Sequence, residues 1–187
     1  EAPAGSRTKI ALAGGSLERD RLPYFNLVVE MPDGTQQTRR MPAEPYLGVV
    51  AATNMKQRVR TLMLYTHAEG RDYAVVGTPN RLEYALGFFV RGGDGLADVK
   101  PIAHLYKTQV FALAAHLGVD AEILASTPST DTYSLAQTQE EFYFGVRLEQ
   151  ADLLLYGLEH GVPAAEIGAA MGLTAAQVER VLAEIGG

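Results

Sequence analysis

The hydrophobic period changes at Glu44, and that change constrains this chain more than any other feature. From there Leu47, Ala51, Met55, Val59, Leu62 and Thr66 recur at spacings of three and four. The spacing predicts a long amphipathic helix over 44–69, stopped by Gly70. Ahead of it, Tyr24 to Glu30 and Gln36 to Arg40 flank Pro32-Asp33-Gly34, turn chemistry that joins two strands as a hairpin. Lys9 to Leu12 reads as a further short strand. Behind the helix, Tyr73 to Gly77 is a short apolar run between turn signals, expected to be a buried parallel strand.

The remainder alternates in the same way. A short helix is expected over 81–89, then the Gly92-Gly93-Asp94-Gly95 loop, then a helix over 105–117 closed by Gly118. Residues 126–139 form a long polar loop, and helices over 148–159, 163–171 and 174–185 finish the chain. The expected architecture is α/β, a parallel sheet with flanking helices over 1–145 and a helical C-terminal cap over 146–187.

Composition excludes several classes. The chain has 187 residues, 16 basic against 22 acidic, for a net charge of −6. That balance offers no general attraction to nucleic acid or anionic lipid. With no cysteine, disulfides and thiolate chemistry are excluded together. No apolar run approaches the roughly 20 residues of a membrane helix, and a cytoplasmic protein is expected. The histidines (His67, His104, His116, His160) show no metal-ligand spacing.

Four segments carry more polar detail than packing needs. Asn54 and Arg58 share a helix face, four residues apart. Thr78 ends the expected strand with Glu83 one turn into the next helix, where ligands of open α/β sheets lie or where an ordinary helix cap sits. The glycine loop after Arg91 holds Asp94 and Asp98 but lacks the ligand alternation of a calcium loop. Lys107 opens a helix, a place that favours an acid unless an anion binds there. Residues 14–20 match neither GxxxxGK[ST] nor GxGxxG.

In order, Asn54-Met-Lys-Gln-Arg58-Val-Arg60, Gly77-Thr78-Pro-Asn80-Arg-Leu-Glu83, Gly93-Asp94-Gly95, Asp98, Leu105-Tyr-Lys107-Thr-Gln109 and Pro128-Ser129-Thr-Asp131 resemble the ammonia-dependent NAD synthetases. The resemblance also extends to the synthetase domain of the glutamine-dependent forms. It covers about 49–138, more weakly to 155. It implies an adenine-nucleotide alpha-hydrolase-like (Rossmann-like) fold, incomplete at its N-terminal side. It also implies a homodimer and an ATP-dependent amidation of deamido-NAD through an adenylate, with ammonia as donor. Carried over by position, Thr78, Lys107 and Ser129 would contact ATP, and Glu83 would ligate Mg²⁺. Arg58, Arg91 and Asp98 would contact deamido-NAD, with Asp94 and Lys107 as the catalytic residues. A glutaminase domain or subunit is a possible partner.

This chain departs from the family in several places. The family's SGGxDS loop is absent upstream of residue 44, where Gly14-Gly15-Ser16 stands in another order. Arg91 replaces the usual Lys, and the 126–144 loop differs from the common form. Two other readings stand beside the resemblance. One is a non-catalytic remnant serving as a binding or dimerisation module. The other is a helix-turn-helix over 163–185 with its turn at Gly172, whose second helix would offer Gln177, Glu179, Arg180 and Glu184. That face is net acidic, which is poor for phosphate contact.

Overall fold

The computed structural model describes residues 3–13, 24–129, 133–138 and 146–186. The Gly14-Gly15-Ser16 run, Asp131 and the aromatic cluster Phe142-Tyr143-Phe144 lie outside them. The chain divides into two compact units, Glu1–Ala43 with Ala125–Gly187, and Glu44–Leu124.

In the first unit, β1 (Arg7–Ala13), β2 (Tyr24–Glu30) and β3 (Gln36–Arg40) form an antiparallel sheet in the order β1-β2-β3. Ile10 pairs with Leu27 and Val28 with Thr38, a register that puts Ile10 and Val28 on opposite faces. Both are buried. The hairpin turn is held locally: Asp33 Oδ1 accepts Thr35 N–H at 2.9 Å and the Thr35 hydroxyl at 2.7 Å. Gly34 supplies the left-handed φ of +85° that the turn requires.

The outer edge of β1 is covered from far along the chain. Thr8 N–H donates to Ser134 Oγ at 2.8 Å, and Leu135 N–H donates to Thr8 O at 3.1 Å. Buried Gln137 donates its amide to Ile10 O. Part of the expected polar loop is therefore a strap on an edge strand, which keeps that edge from pairing elsewhere.

Three helices complete this unit: α5 (Leu148–His160), α6 (Ala164–Met171) and α7 (Ala175–Gly186). Their buried stripe is Leu148, Ala151, Leu154, Leu155, Ile167, Val178 and Val181. Gly161 and Gly172 end α5 and α6 in the left-handed region, Gly172 at the turn that the sequence reading gave it. Thr174 and Gln177 exchange N-terminal capping bonds at the start of α7.

The second unit contains α1 (Ala43–Glu69), α2 (Arg81–Ala85), α3 (Lys107–His116) and α4 (Ala121–Ala125). Its buried hydrophobic residue among those described is Leu82. The stripe that predicted α1 faces outward: Leu47 is 62%, Met55 63% and Leu62 66% exposed. The buried residue of α1 is Thr61, from the neighbouring face.

Two expectations change here. Tyr73 to Gly77 is not a full strand, and its Tyr73 and Val76 side chains are 70% and 62% exposed. It is extended and makes one parallel bridge, Val76 to Val99. An apolar run becomes a buried strand only when neighbours flank it on both edges and both faces. Secondly, the helix expected over 81–89 stops at Ala85. Gly87 turns left-handed, and Phe88 N–H returns to Glu83 O at 2.8 Å.

Candidate functional site

The start of α2 is built by a reciprocal cap. Asn80, 1% exposed, accepts Glu83 N–H on its side chain at 3.1 Å. Glu83 Oε2 reaches back to Asn80 N–H at 2.9 Å. The other carboxylate oxygen, Oε1, lies 3.4 Å from Lys107 Nζ, with both side chains largely shielded from water. Lys107 is brought there by its own backbone neighbours. Arg81 N–H donates to Leu105 O at 2.8 Å, and the Arg81 guanidinium sits 5.2 Å over the Tyr106 ring.

Thr78 is exposed between buried Gly77 and Pro79, two residues before the cap. Gly77 has to be glycine: a Cβ there would lie 2.6 Å from Ala97 Cβ. The structure thus brings Thr78, Glu83 and Lys107 to one end of two helices.

The glycine loop makes a second cluster. Arg58 Nε donates to Arg91 O at 3.1 Å, and Asp94 Oδ1 accepts Val90 N–H at 2.9 Å. Asp98 is held on both oxygens, by the Tyr65 hydroxyl at 3.2 Å and by Val75 N–H at 2.8 Å. Partial desolvation raises the Tyr65 phenol above its ordinary value, and the charges of Asp98 and Glu69 add to the shift. Gly95 packs on the Phe89 ring so closely that a Cβ would overlap it. The loop is therefore a folded object hung between Arg58 and Tyr65 of α1, two helical turns apart.

Ser129 belongs to the other unit, where it forms an isolated bridge with Thr138. Sequence reasoning missed Asn80 and Tyr65 as parts of these clusters. Asn80 had a readable signal, since Asn-x-x-Glu ahead of an apolar residue is a capping box. Tyr65 had none, because its partner lies 33 residues away.

Among the described residues, no group of three or more acidic or histidine side chains gathers to hold a metal ion. Glu83 offers one carboxylate. Both of its oxygens already meet the protein, Oε2 at Asn80 N–H and Oε1 at Lys107 Nζ.

The α/β chain thus sets a cation against a carboxylate at paired helix starts and fastens a glycine loop to a long helix. Comparison with known proteins makes the class specific. The NAD synthase family pattern matches residues 28–186, and the chain belongs to that family. It is 57% identical over 181 residues to the NH(3)-dependent NAD(+) synthetase of Rhizobium meliloti (strain 1021), covering 97% of this chain and 54% of the relative.

Among solved structures, the NMN synthetase of Francisella tularensis is 35% identical, with a TM-score of 0.55, over 61% of this chain and 50% of that one. The NH3-dependent NAD synthetase of Campylobacter jejuni, solved with nitrate, shares the fold at 22% identity. Its TM-score is 0.53, over 74% of this chain and 50% of that one. The chain spans about half the length of the curated relatives it matches. The match reaches well past the resemblance quoted from sequence and takes in α5 to α7. The helix-turn-helix pattern at 163–185 thus falls inside the family domain, and neither alternative reading is favoured.

Proposed function

We propose that the protein is a carbon–nitrogen ligase of NAD biosynthesis, amidating deamido-NAD with ammonia at the expense of ATP. The observation that carries this reading is the 57% identity to an NH(3)-dependent NAD(+) synthetase across nearly the whole chain. In the first step, a substrate carboxylate oxygen bonds to the α-phosphorus of ATP and pyrophosphate leaves. In the second, ammonia attacks the acyl carbon, AMP leaves with its bonding pair, and the amide nitrogen sheds a proton. Both steps move negative charge onto phosphate oxygens, so fixed cations lower their barriers.

Lys107 supplies such a cation, and Thr78 and Ser129 are assigned to ATP by their place in the family motifs. Glu83 would hold Mg²⁺, which screens the triphosphate charge. Arg58, Arg91 and Asp98 take deamido-NAD, with Arg58 suited to paired hydrogen bonds on phosphate. Asp94 lines the reacting centre. In the same reading, residues 1–145 form the α/β domain and residues 146–187 a helical C-terminal segment, with Val76 and Val99 joined by their parallel bridge. The protein works in the cytoplasm, with ammonia arriving free or from a glutaminase partner.

The exposed apolar stripe of α1 supports a homodimer, since a unit with so small a core of its own gains by covering it. A second reading, amidation of nicotinate mononucleotide, is favoured by the 35% identity to the Francisella NMN synthetase. The test supplies ATP, Mg²⁺ and ammonium with either acid and follows AMP and amide formation. Stoichiometric AMP and NAD from deamido-NAD support the first reading, and a higher kcat/KM for the mononucleotide supports the second. Formation of neither amide rejects both.

A further inference from the structure

Asp98 is fixed more tightly than a loop carboxylate needs to be. Asp98 and the Val75 main chain exchange two bonds: Asp98 N–H donates to Val75 O at 3.0 Å, and Val75 N–H donates to Asp98 Oδ2 at 2.8 Å. That ring sets the backbone and one carboxylate oxygen. One bond narrows the terminal torsion, which is otherwise broad and roughly two-fold, without locking it. The Tyr65 hydroxyl, donating to Oδ1 at 3.2 Å, is the bond that stops the rotation.

Docking of the loop on α1 does not depend on this hydroxyl. Arg58 already grips Arg91 O, and Gly93 lies against Gln57 so closely that a Cβ there would be 3.2 Å from Gln57 Cβ. The phenol oxygen therefore adds orientation to a loop that is otherwise held. An ionised carboxylate offers about four acceptor positions, and here two are taken by the protein. With both oxygens fixed, the remaining lone pairs have set directions, and a ligand donor meets them without reorganising the group.

We propose that Tyr65 is a positioning residue for the Asp98 carboxylate, and that it governs affinity for the dinucleotide substrate and not for ATP. The inference rests on the assignment of Asp98 to deamido-NAD under the proposed function.

The test measures binding of deamido-NAD and of ATP separately by calorimetry, with thermal melting alongside, for the wild type, Tyr65→Phe, Asp98→Asn and the double variant. Phe keeps the ring and removes the hydroxyl alone. Tyr65→Phe is expected to weaken deamido-NAD binding about five- to tenfold, with ATP binding within about twofold and Tm within about 2 °C. The double variant is expected to bind no more weakly than Asp98→Asn, since both remove one interaction.

If Asp98→Asn weakens deamido-NAD and Tyr65→Phe does not, the inference fails and the substrate assignment stands. If Asp98→Asn leaves deamido-NAD binding unchanged, or the wild type does not bind it, the assignment fails and the inference goes with it. Equal weakening of both ligands by Tyr65→Phe, or a Tm fall of more than about 5 °C, marks a merely structural role and also overturns the inference.

Discussion

Lys107 Nζ and Glu83 Oε1 stand 3.4 Å apart, an ion pair between the first residue of α3 and the third of α2. The pair sets a cation against a carboxylate, so each charge offsets the other. Removing one partner leaves the other partly buried without it, which costs more than the pair itself contributes.

Lys107→Ala and Glu83→Ala are each expected to lower turnover by about 10²-fold or more while the fold persists. Amide formation under saturating substrates measures the effect, and circular dichroism checks the fold. Near-normal turnover in both variants removes these residues from the reaction.

Arg58 is expected to act on the dinucleotide side. Arg58→Ala should raise KM for deamido-NAD at least about tenfold, the scale of losing one partner of a buried charged bond, and leave KM for ATP nearly unchanged. Arg58→Lys should not restore it, because a lysine cannot reproduce the planar fork. A selective rise in KM for ATP would reverse the two assignments.

The outward stripe of α1 bears on assembly. Light scattering at micromolar concentration should give a dimer for the wild type and a monomer for Leu62→Glu, which places a charge at a position now 66% exposed. A wild-type monomer would contradict the homodimer.

Asp72 sits in the left-handed region at φ 56°, just past the C-terminus of α1. Tyr73 N–H bonds to Ala68 O at 2.9 Å and Asp72 N–H to Glu69 O at 3.2 Å, the bond pair of a Schellman ending. Glycine occupies that conformation without a Cβ penalty. Asp72→Gly should therefore stabilise the protein by about 0.5–1 kcal/mol, read as a higher denaturant midpoint with an unchanged slope.

Glu30 has its carboxyl held below the ordinary value by a hydrogen bond from Gln36 and then by Arg7. A depressed folded-state value contributes stability above the ordinary carboxylate range and loses it as the pH falls through the folded value. Glu30→Gln should flatten the pH dependence of stability below about pH 5 and leave its shape near neutrality unchanged. An unaltered acid limb would show that Glu30 carries none of it.

Local structure was legible where a local signal fixes it. Six of the seven helices among the described residues were expected, the long one from its 3.6 period and three with a glycine at the end, and the hairpin follows from Pro32-Asp33-Gly34. The short α4 was missed, although Asp120 accepts Glu122 N–H at 2.8 Å and such an acid is a helix-start signal. What periodicity could not supply is the partner. The stripe of α1 reads the same whether it meets a core, a second chain or water, and Tyr73 to Gly77 reads as a strand whether or not neighbours flank it. In the candidate site, Glu83 and Lys107 meet as an ion pair, and Thr78 stands two residues before the cap of the same helix start. The clamp on Asp98 depends on Tyr65 meeting a residue 33 positions on, which no spacing rule reports.

The strap on β1 also sets a clock. Thr8 and Ser134 are separated by 126 residues, so a ribosome adding about 5–20 residues per second leaves the β1 edge bare for roughly 6–25 s. Three strands with an apolar face are enough to begin a sheet before then, and a bare edge is a template for foreign strands. A faster translation rate through residues 14–134 shortens that exposure.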